Sequence, residues 1–193
     1  MTFASLIRIA CLMTIVTTLL LGIAYPLGIT AVAQIAFPDR ANGQLVERDG
    51  ALIGSRLIGQ GFAMPGYFHP RPSATATPYD AANSGGSQLG PTNRTLIDTV
   101  KARVDAARTD NPNAPVPIDL VTASASGLDP DLSPAAAAFQ VPRVARARGM
   151  SEADVRQIVA AHTDGRQLGF FGEPRVNVLE LNLALDHAHP MPN

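Results

Sequence analysis

Residues 9–35 read IACLMTIVTTLLLGIAYPLGITAVAQI, and this stretch decides how the rest of the chain is organised. No charged residue occurs between Arg8 and Asp39. As a helix rising about 1.5 Å per residue, the stretch would be about 40 Å long, enough to cross a hydrocarbon core of about 30 Å. The sequence therefore predicts a short N-terminal segment (1–8), one transmembrane helix (9–35) and one further domain (36–193).

A cleaved secretory signal peptide is the alternative interpretation of the same stretch. Arg8 supplies a short basic head, and Ala31-Val32-Ala33 has the small-x-small form of a cleavage site. Two features favour a retained anchor: the apolar run is longer than an ordinary signal-peptide core, and small residues recur along it at every fourth position from Ala10. Three of them, Thr14, Thr18 and Gly22, form what we call the small-residue ridge. Such a ridge predicts close packing against a second membrane helix.

Pro26 lies inside the predicted transmembrane helix. Its nitrogen carries no proton, so the Gly22 carbonyl loses its usual helical partner. In lipid the freed carbonyl must be satisfied by a local change of the helix or by neighbouring groups. We therefore expect the helix to kink or loosen at this point.

A short basic head followed by an apolar run predicts the orientation of a single-pass protein of the cell inner membrane. The N-terminus would lie in the cytoplasm and the large domain on the extracytoplasmic side. The count of positive charges does not decide the orientation, since Arg8 lies on one flank of the helix and Arg40, Arg48 and Arg56 lie on the other. The single cysteine, Cys11, lies in the membrane run, so no disulfide can form within one chain. This cysteine usage is compatible with an outer location.

The remainder of the chain has the composition of one globular domain without a catalytic motif. A formal net charge of −1 gives no electrostatic case for nucleic acid. The nucleophile elbow Gly-x-Ser-x-Gly and a Ser-x-x-Lys pair are absent, and the only lysine, Lys101, follows no phosphate-binding glycine pattern. His69 stands between prolines without a second metal ligand nearby. We expect no catalytic residue, no metal site and no cofactor of the chain's own.

Turn and capping residues predict a compact mixed α+β domain after the membrane helix. Asp49-Gly50 is typical of a tight turn between two strands, and Asn93 and Ser133 are typical helix caps. The expected elements are a hairpin of 44–48 and 51–62, a helix capped by Thr92 or Asn93 and ending at Asn111, a buried strand opening into a loop at 118–126, a helix from Ser133 to Gly149, and a helix capped by Ser151.

The last part of the chain leaves helix and strand open. Apolar residues alternate from Leu179 to Leu185, which favours a strand, whereas Asn177 followed by Glu180 favours a capped helix. We expect residues 176–185 to be helical. The preceding loop, Gly165 to Gly172, carries two aromatic side chains at 170 and 171 that predict an exposed contact with a partner or lipid surface.

Two places have residues suited to binding a ligand. Ser84, Gly85, Gly86 and Ser87 precede Gln88, and glycines in such a run let backbone N–H groups converge on an anion such as a phosphate. The alternative is a tight connection that packs on itself. Gln140 is a polar residue among apolar ones, suited either to a ligand contact or to a capping or core-edge role.

Eight blocks of the sequence resemble one known family, the C subunits of Kdp-type potassium-transporting ATPases. They span nearly the whole chain in order: residues 25–27, 33–34, 54–60, 67–73, 84–87, 89–93, 122–130 and 172–177. The resemblance implies an uncleaved N-terminal segment. It also implies three partners in a complex that imports potassium at the expense of ATP: a channel-like potassium-binding subunit, a P-type ATPase subunit and a small single-helix subunit.

The resemblance implies a non-catalytic role, since the Asp-Lys-Thr-Gly phosphorylation sequence of a P-type pump is missing. Subunits of this family are described as catalytic chaperones that raise the pump subunit's affinity for ATP through a glutamine. The matching residue here is Gln140, with residues 84–87 as a second candidate. ATP would then be bound through the pump subunit.

A domain outside the membrane cannot meet cytoplasmic ATP, so a structural hypothesis competes with the chaperone hypothesis. In the structural hypothesis, the small-residue ridge packs on the channel-like subunit and the outer domain caps the potassium entrance, without contact to nucleotide. Asp129 and Asp131 would then raise the local cation concentration.

Overall fold

The computed structural model describes residues 2–48 and 50–191, which fall into two compact units divided between Leu45 and Val46. The chain is mixed helix and sheet, as predicted, with an apolar N-terminal helix followed by a compact α+β domain. Asp49, the first of the two predicted turn residues, lies outside the described residues. The second, Gly50, has the positive φ of 75° that such a turn requires.

The first unit holds a continuous helical run, Phe3–Ala36, which is long and apolar enough to cross a membrane. It consists of α1 (Phe3–Thr17), a π-helical segment (Thr18–Ala24) and α2 (Tyr25–Ala36). A short helix, α3 (Pro38–Ala41), follows. No residue of these three segments is buried. Near the end of α2, Gln34 exchanges two hydrogen bonds with the Asn42 side chain.

The loosening predicted at Pro26 is present as the π-helical segment that precedes it. Tyr25 N donates to the Leu20 carbonyl, five residues back, in place of the usual four. Pro26 follows directly, and the helical backbone continues through it into α2. The chain thus accommodates the proline by widening one turn of a continuous helix.

The second unit begins with a two-stranded hairpin, β1 (Leu45–Arg48) and β2 (Ala51–Ser55). The predicted second strand is seven residues too long, because the chain turns at Arg56 and Leu57. A long irregular segment then leads to α4 (Arg94–Asp110), which is capped by the Asn93 side chain, as predicted.

Three further helices form the compact part of this unit. They are α5 (Pro134–Arg148), α6 (Glu152–Ala161) and α7 (Val178–Ala188). Ser133 Oγ accepts from Ala136 N at the start of α5, and Gly149 ends it in the left-handed conformation at φ 66°, as predicted. Ser151 caps α6.

A small antiparallel sheet joins these helices, with the strand order β3 (Asp131–Leu132), β5 (Arg175–Asn177), β4 (Thr163–Asp164). Val176 is paired with Leu132 on one side and Thr163 on the other. The helix prediction for the C-terminal run is confirmed, and the strand that the alternation at 179–185 favours is wrong, since a strand occurs only just before that run. Residues 175–177 form a strand, and Asn177 then accepts from Glu180 N to start α7, the expected helix.

The core lies between α5, α6, α7 and the sheet. Its fully buried large side chains include Phe68, Leu132, Val141, Leu181 and Leu185. Phe68 comes from residues 64–72, which we call the proline-rich segment, so this irregular stretch is a part of the core.

The predicted buried strand at 118–126 is wrong. Residues 118–120 form one 3₁₀ turn, and the Ile118 side chain is 70% exposed. Asp119 instead reaches the start of α5, where its carboxylate accepts from Ser133 N at 2.8 Å. Pro117 fixes the φ angle at the entry to this turn, and Val121 is the apolar residue that is buried.

Candidate functional site

The small-residue ridge lies along one side of the membrane helix. The Thr18 methyl group is 3.8 Å from the position that a Cβ on Gly22 would occupy, so these two residues are neighbours on one face. A four-residue step overshoots one α-turn by about 40°. The wider π-turn between Thr18 and Gly22 corrects this drift and keeps the ridge straight.

Among residues 2–48 and 50–191, nothing requires Gly22 to be a glycine. A Cβ there would make only an ordinary van der Waals contact, and the glycine has no positive φ. Its side of the helix is therefore open to close approach by a second helix, which is the use that glycine has in membrane helices.

Gln140 is buried, with 5% of its surface exposed, and its side chain binds the backbone of the proline-rich segment. Oε1 accepts from His69 N at 2.8 Å, and Nε2 donates to His69 O at 3.0 Å. The carboxamide thus pairs with residue 69 as a neighbouring peptide group in a sheet would. Both of its polar atoms are occupied, which matches the core-edge role that the sequence left open.

Asn182 on α7 makes the same pair of hydrogen bonds to the backbone of Phe68, the residue before His69. Phe68 N donates to Asn182 Oδ1 at 2.8 Å, and Asn182 Nδ2 donates to Phe68 O at 3.0 Å. Successive peptide groups of an extended chain point to opposite sides, so helices on both sides are needed to satisfy them. Asn182 and Gln140 together form what we call the carboxamide clamp.

Arg143, one turn after Gln140, ties three elements together. Its Nη1 donates to the Pro65 and Tyr67 carbonyls at 2.6 and 3.0 Å, and Nη2 donates to Gln140 Oε1 at 2.6 Å. Its Nε lies 3.2 Å from Asp110 Oδ2 at the end of α4. Asp110 is half exposed, so the ion pair itself adds little stability, and the hydrogen bonds to carbonyls dominate.

A cavity of about 310 Å³ opens beside Gln140, between the C-terminal half of α4 and residues 69–70 of the proline-rich segment. Its polar lining is His69, Arg103, Asp110 and Gln140, and its apolar lining includes Leu120 and Phe139. Burial, and then the nearby Arg143 guanidinium, lower the pKa of His69. Arg103 donates from Nη1 to Val121 O at 3.2 Å.

The loop of residues 84–87 is held by another loop of the same unit. Ser84 Oγ and Gly85 N both donate to Ser126 O, at 3.0 and 2.9 Å. A Cβ on Gly86 would lie 3.0 Å from Ala125 O, so a side chain there would have to move the backbone by a few tenths of an ångström. Among the described residues, no hydrogen bond links this loop to Gln140, so the two predicted nucleotide-contact elements share no site of hydrogen-bonded residues.

The cation Arg148, near the end of α5, is buried, although a cation in the last turn of a helix usually lies in solvent beside the helix dipole. Its side chain is fully buried and donates to Gly66 O at 2.6 Å, His189 O at 2.7 Å and Asp186 Oδ1 at 2.9 Å. The guanidinium also lies 4.9 Å from the centre of the Tyr67 ring. Because these partners are 38 to 82 residues away in sequence, no local pattern indicates them.

The aromatic loop at 165–172 is exposed, as predicted. Phe170 and Phe171 are 65% and 56% exposed, and their ring centres are 4.2 Å apart. Paired backbone hydrogen bonds between Gln167 and Phe171, and an ion pair of Arg166 with Glu173, hold the base of the loop.

Comparison with known proteins agrees with the resemblance. The chain matches the family described as "KdpC: K+-transporting ATPase, c chain" over residues 7–187. Proteins named potassium-transporting ATPase KdpC subunit are similar to it along almost their whole length. That of Koribacter versatilis (strain Ellin345) is 61% identical over 181 residues, covering 94% of each chain. That of Sorangium cellulosum (strain So ce56) is 60% identical over 185 residues, covering 94% of this chain and 97% of the relative. That of Rhodopseudomonas palustris (strain BisB18) is 58% identical over 194 residues, covering 94% and 98%. The chain belongs to the KdpC family of potassium-transporting ATPase subunits.

Proposed function

We propose that this chain is a non-catalytic accessory subunit of an ATP-driven potassium import complex, and that it assists assembly through its membrane helix. The observation that carries the proposal is the helix Phe3–Ala36, in which no residue is buried within the chain. The family match begins at residue 7, inside this helix, which supports a retained anchor over a discarded signal peptide.

The proposed partners are the three other subunits: channel-like, P-type ATPase and small single-helix. The ridge of Thr14, Thr18 and Gly22 would pack on the channel-like subunit, with the helix in the inner membrane and its N-terminus in the cytoplasm. The domain would then lie outside, where it caps the potassium entrance. Asp129 and Asp131 contribute little cation attraction there, since Arg71 and Arg175 are paired with them.

Gly22→Leu is expected to reduce recovery of the complex about tenfold, because a side chain forced into a close helix contact costs about 1–3 kcal/mol. The measurement is the amount of each partner subunit that co-purifies with the tagged chain in mild detergent. Gly28→Leu is the matched control. That position is a glycine of the same helix, lies off the ridge and has no atom within 4 Å of an added Cβ. Equal recovery of the two variants would contradict packing through the ridge.

The chaperone role is the second candidate: a contact of the domain with ATP on the pump subunit that raises the pump's affinity. The cavity beside Gln140 favours it, since the Arg103 guanidinium that lines it could attract an anion. The contact residues would be Gln140 and residues 84–87. This role requires the domain to be on the cytoplasmic side, so the location of the domain separates the two candidates.

We expect a membrane-impermeant maleimide to label Ser87→Cys in intact cells, in a chain that also carries Cys11→Ser. Ser87 is exposed, so the reagent can reach it on whichever side the domain lies. Thr2→Cys in the same background is the matched control and is expected to be labelled only after lysis. The reverse pattern would place the domain in the cytoplasm and make the chaperone role the leading account.

A further inference from the structure

The loop of residues 165–172 holds three large apolar side chains in solvent. Leu168, Phe170 and Phe171 are 82%, 65% and 56% exposed, and we call them the apolar tip. Leu168 has a φ of 54°, a left-handed conformation that is uncommon for leucine, and Gly169 follows at φ 82°. These two residues make a tight turn, so the backbone is bent in the way that keeps the apolar side chains outside the domain.

Four backbone amides of this loop donate within the loop itself. Gln167 and Phe171 exchange two hydrogen bonds of 2.9 Å, and the amides of Gly169 and Phe170 donate to carbonyls three residues back at 3.2 Å. An N–H group without a partner is unfavourable in an apolar medium. Because these N–H groups are already paired, the apolar tip can enter a lipid interface without leaving them unsatisfied.

The apolar tip carries no charge. No charged residue occurs between Arg166 and Glu173, and these two pair with each other at the base of the loop. Arg166 Nη2 donates to both carboxylate oxygens of Glu173, at 2.8 and 2.6 Å. Anionic lipid attracts segments that carry an excess of lysine and arginine. This loop has no such excess, so its binding to lipid would depend on the apolar side chains and not on the headgroup charge.

The connection to the membrane helix is short enough to keep lipid within reach of the apolar tip. Residues 37–45 join α2 to Val46 and span at most about 35 Å when fully extended. Because β1 and β2 form a hairpin, the chain enters the second unit beside the end of β2. Just after β2, the Arg56 carbonyl accepts from Asn177 Nδ2 at 2.9 Å, at the end of β5. Phe171 precedes Asn177 by six residues, which is at most about 20 Å of extended chain.

A lipid surface fits the apolar tip better than a protein surface does. A stable protein interface buries about 800 Å² on each partner and involves about 20–30 residues on each side. Three side chains of one turn cover much less than that. A lipid interface accepts exposed phenylalanine and leucine side chains without a complementary surface.

We propose that the apolar tip inserts into the interface of the bilayer that holds the membrane helix, where it binds neutral phospholipid. This rests on the proposed function, since it requires the helix Phe3–Ala36 to be retained in the membrane. With the helix as its only attachment, the domain would be free to rotate about the connection at 37–45. Insertion of the tip adds a second attachment and fixes which side of the domain faces the lipid.

A single tryptophan in the full chain tests the insertion. The chain contains no tryptophan, so Phe170→Trp supplies the only indole, and the protein is placed in phosphatidylcholine nanodiscs with or without lipid that is brominated along its acyl chains. Bromine quenches an indole that reaches the acyl chains. We expect the emission to fall by about half, since interfacial apolar segments lie about 5–10 Å deep. Ile118→Trp is the matched control: Ile118 is 70% exposed in the same unit, and its emission should stay unchanged.

A further variant assigns the quenching to the apolar tip. Leu168→Ser with Phe171→Ser, both in the Phe170→Trp chain, removes the two other apolar side chains, and the quenching should then fall to the level of the control. Replacing part of the phosphatidylcholine by phosphatidylglycerol should leave the quenching of Phe170→Trp unchanged, since the loop has no net charge.

Three results would overturn the proposal. The first is unquenched Phe170→Trp emission from chains that remain in the nanodisc, which would leave the membrane anchor intact. The second is quenching that survives the two serine substitutions. The third is an unquenched tryptophan together with a loss of co-purifying partner subunits in Phe170→Ser/Phe171→Ser, which would make the tip a protein contact. Chains that are absent from the nanodisc altogether would contradict the retained anchor, and with it both proposals.

Discussion

Arg148→Met is expected to lower the free energy of unfolding by about 3 kcal/mol, because removing one partner of a buried ion pair leaves the other charge poorly compensated. The remaining partner is Asp186, whose side chain is 18% exposed. It keeps a hydrogen bond from the Tyr67 hydroxyl at 3.1 Å and a longer ion pair, 3.7 Å, with the half-exposed Arg48. The carbonyls of Gly66 and His189 lose their donors as well. Urea unfolding of the full chain in detergent micelles, followed by circular dichroism, measures the loss.

Arg156→Met is the matched control for this prediction. Arg156 pairs with Glu152 one turn away, and both side chains are half exposed, so its removal should cost less than about 0.5 kcal/mol. Arg148→Met combined with Asp186→Asn should be less destabilised than Arg148→Met alone, since the carboxylate is then gone. A cost below about 1 kcal/mol for Arg148→Met would show that the buried pair is not a main support of the domain.

Asn182→Leu is expected to cost about 2–4 kcal/mol, because it leaves the buried N–H and C=O of Phe68 without partners at about 1–3 kcal/mol each. Leucine has a similar size, so the change tests the hydrogen bonds of the clamp more than the packing. Gln140→Leu should cost about half as much, since His69 is only half buried. The same urea experiment compares them.

Gln157→Leu is the control for the clamp variants, because Gln157 is an exposed carboxamide on α6. Its removal should change the stability by no more than about 0.5 kcal/mol. If Asn182→Leu is no worse than this control, the clamp does not hold the proline-rich segment in place.

The clamp also changes how a Gln140 variant of the assembled pump must be interpreted. Gln140→Ala removes both hydrogen bonds to His69 and frees Arg143 Nη2. A weaker dependence on ATP in that variant would follow from a loosened domain as readily as from a lost nucleotide contact. Labelling at position 87 does not disturb this part of the fold, so it is the cleaner test of the chaperone role.

Those parts of the fold that depend on neighbours in sequence were predictable. The caps at Asn93 and Ser133 and the stop at Gly149 act within one turn of the helix, so the residue type almost suffices. The membrane helix and the π-helical segment before Pro26 likewise depend on one contiguous stretch of sequence. Its length and lack of charge leave few other structures possible.

Features that depend on distant partners were not predictable in the same way. The run from Ile118 was expected to be a buried strand, but Ile118 faces solvent and Val121 supplies the buried side chain. A short apolar run has no periodicity that distinguishes these outcomes. Gln140 was singled out for its apolar surroundings, yet its partner is a backbone 71 residues away. Residue type indicated that Gln140 needs hydrogen bonds, and only the fold shows with what.

The clamp makes completion of the domain depend on α7, a helix that is synthesised well after the proline-rich segment. Phe68 and Asn182 are 114 residues apart, so the ribosome needs about 6–23 s to make the intervening chain at about 5–20 residues per second. A helix forms within about a microsecond once its residues are available. During that interval the N–H and C=O groups of Phe68 lack their partner on α7, and the proline-rich segment is accessible to proteases and chaperones. A nascent chain that stops before α7 therefore leaves the peptide groups of Phe68 without the Asn182 side chain that pairs with them in the folded domain.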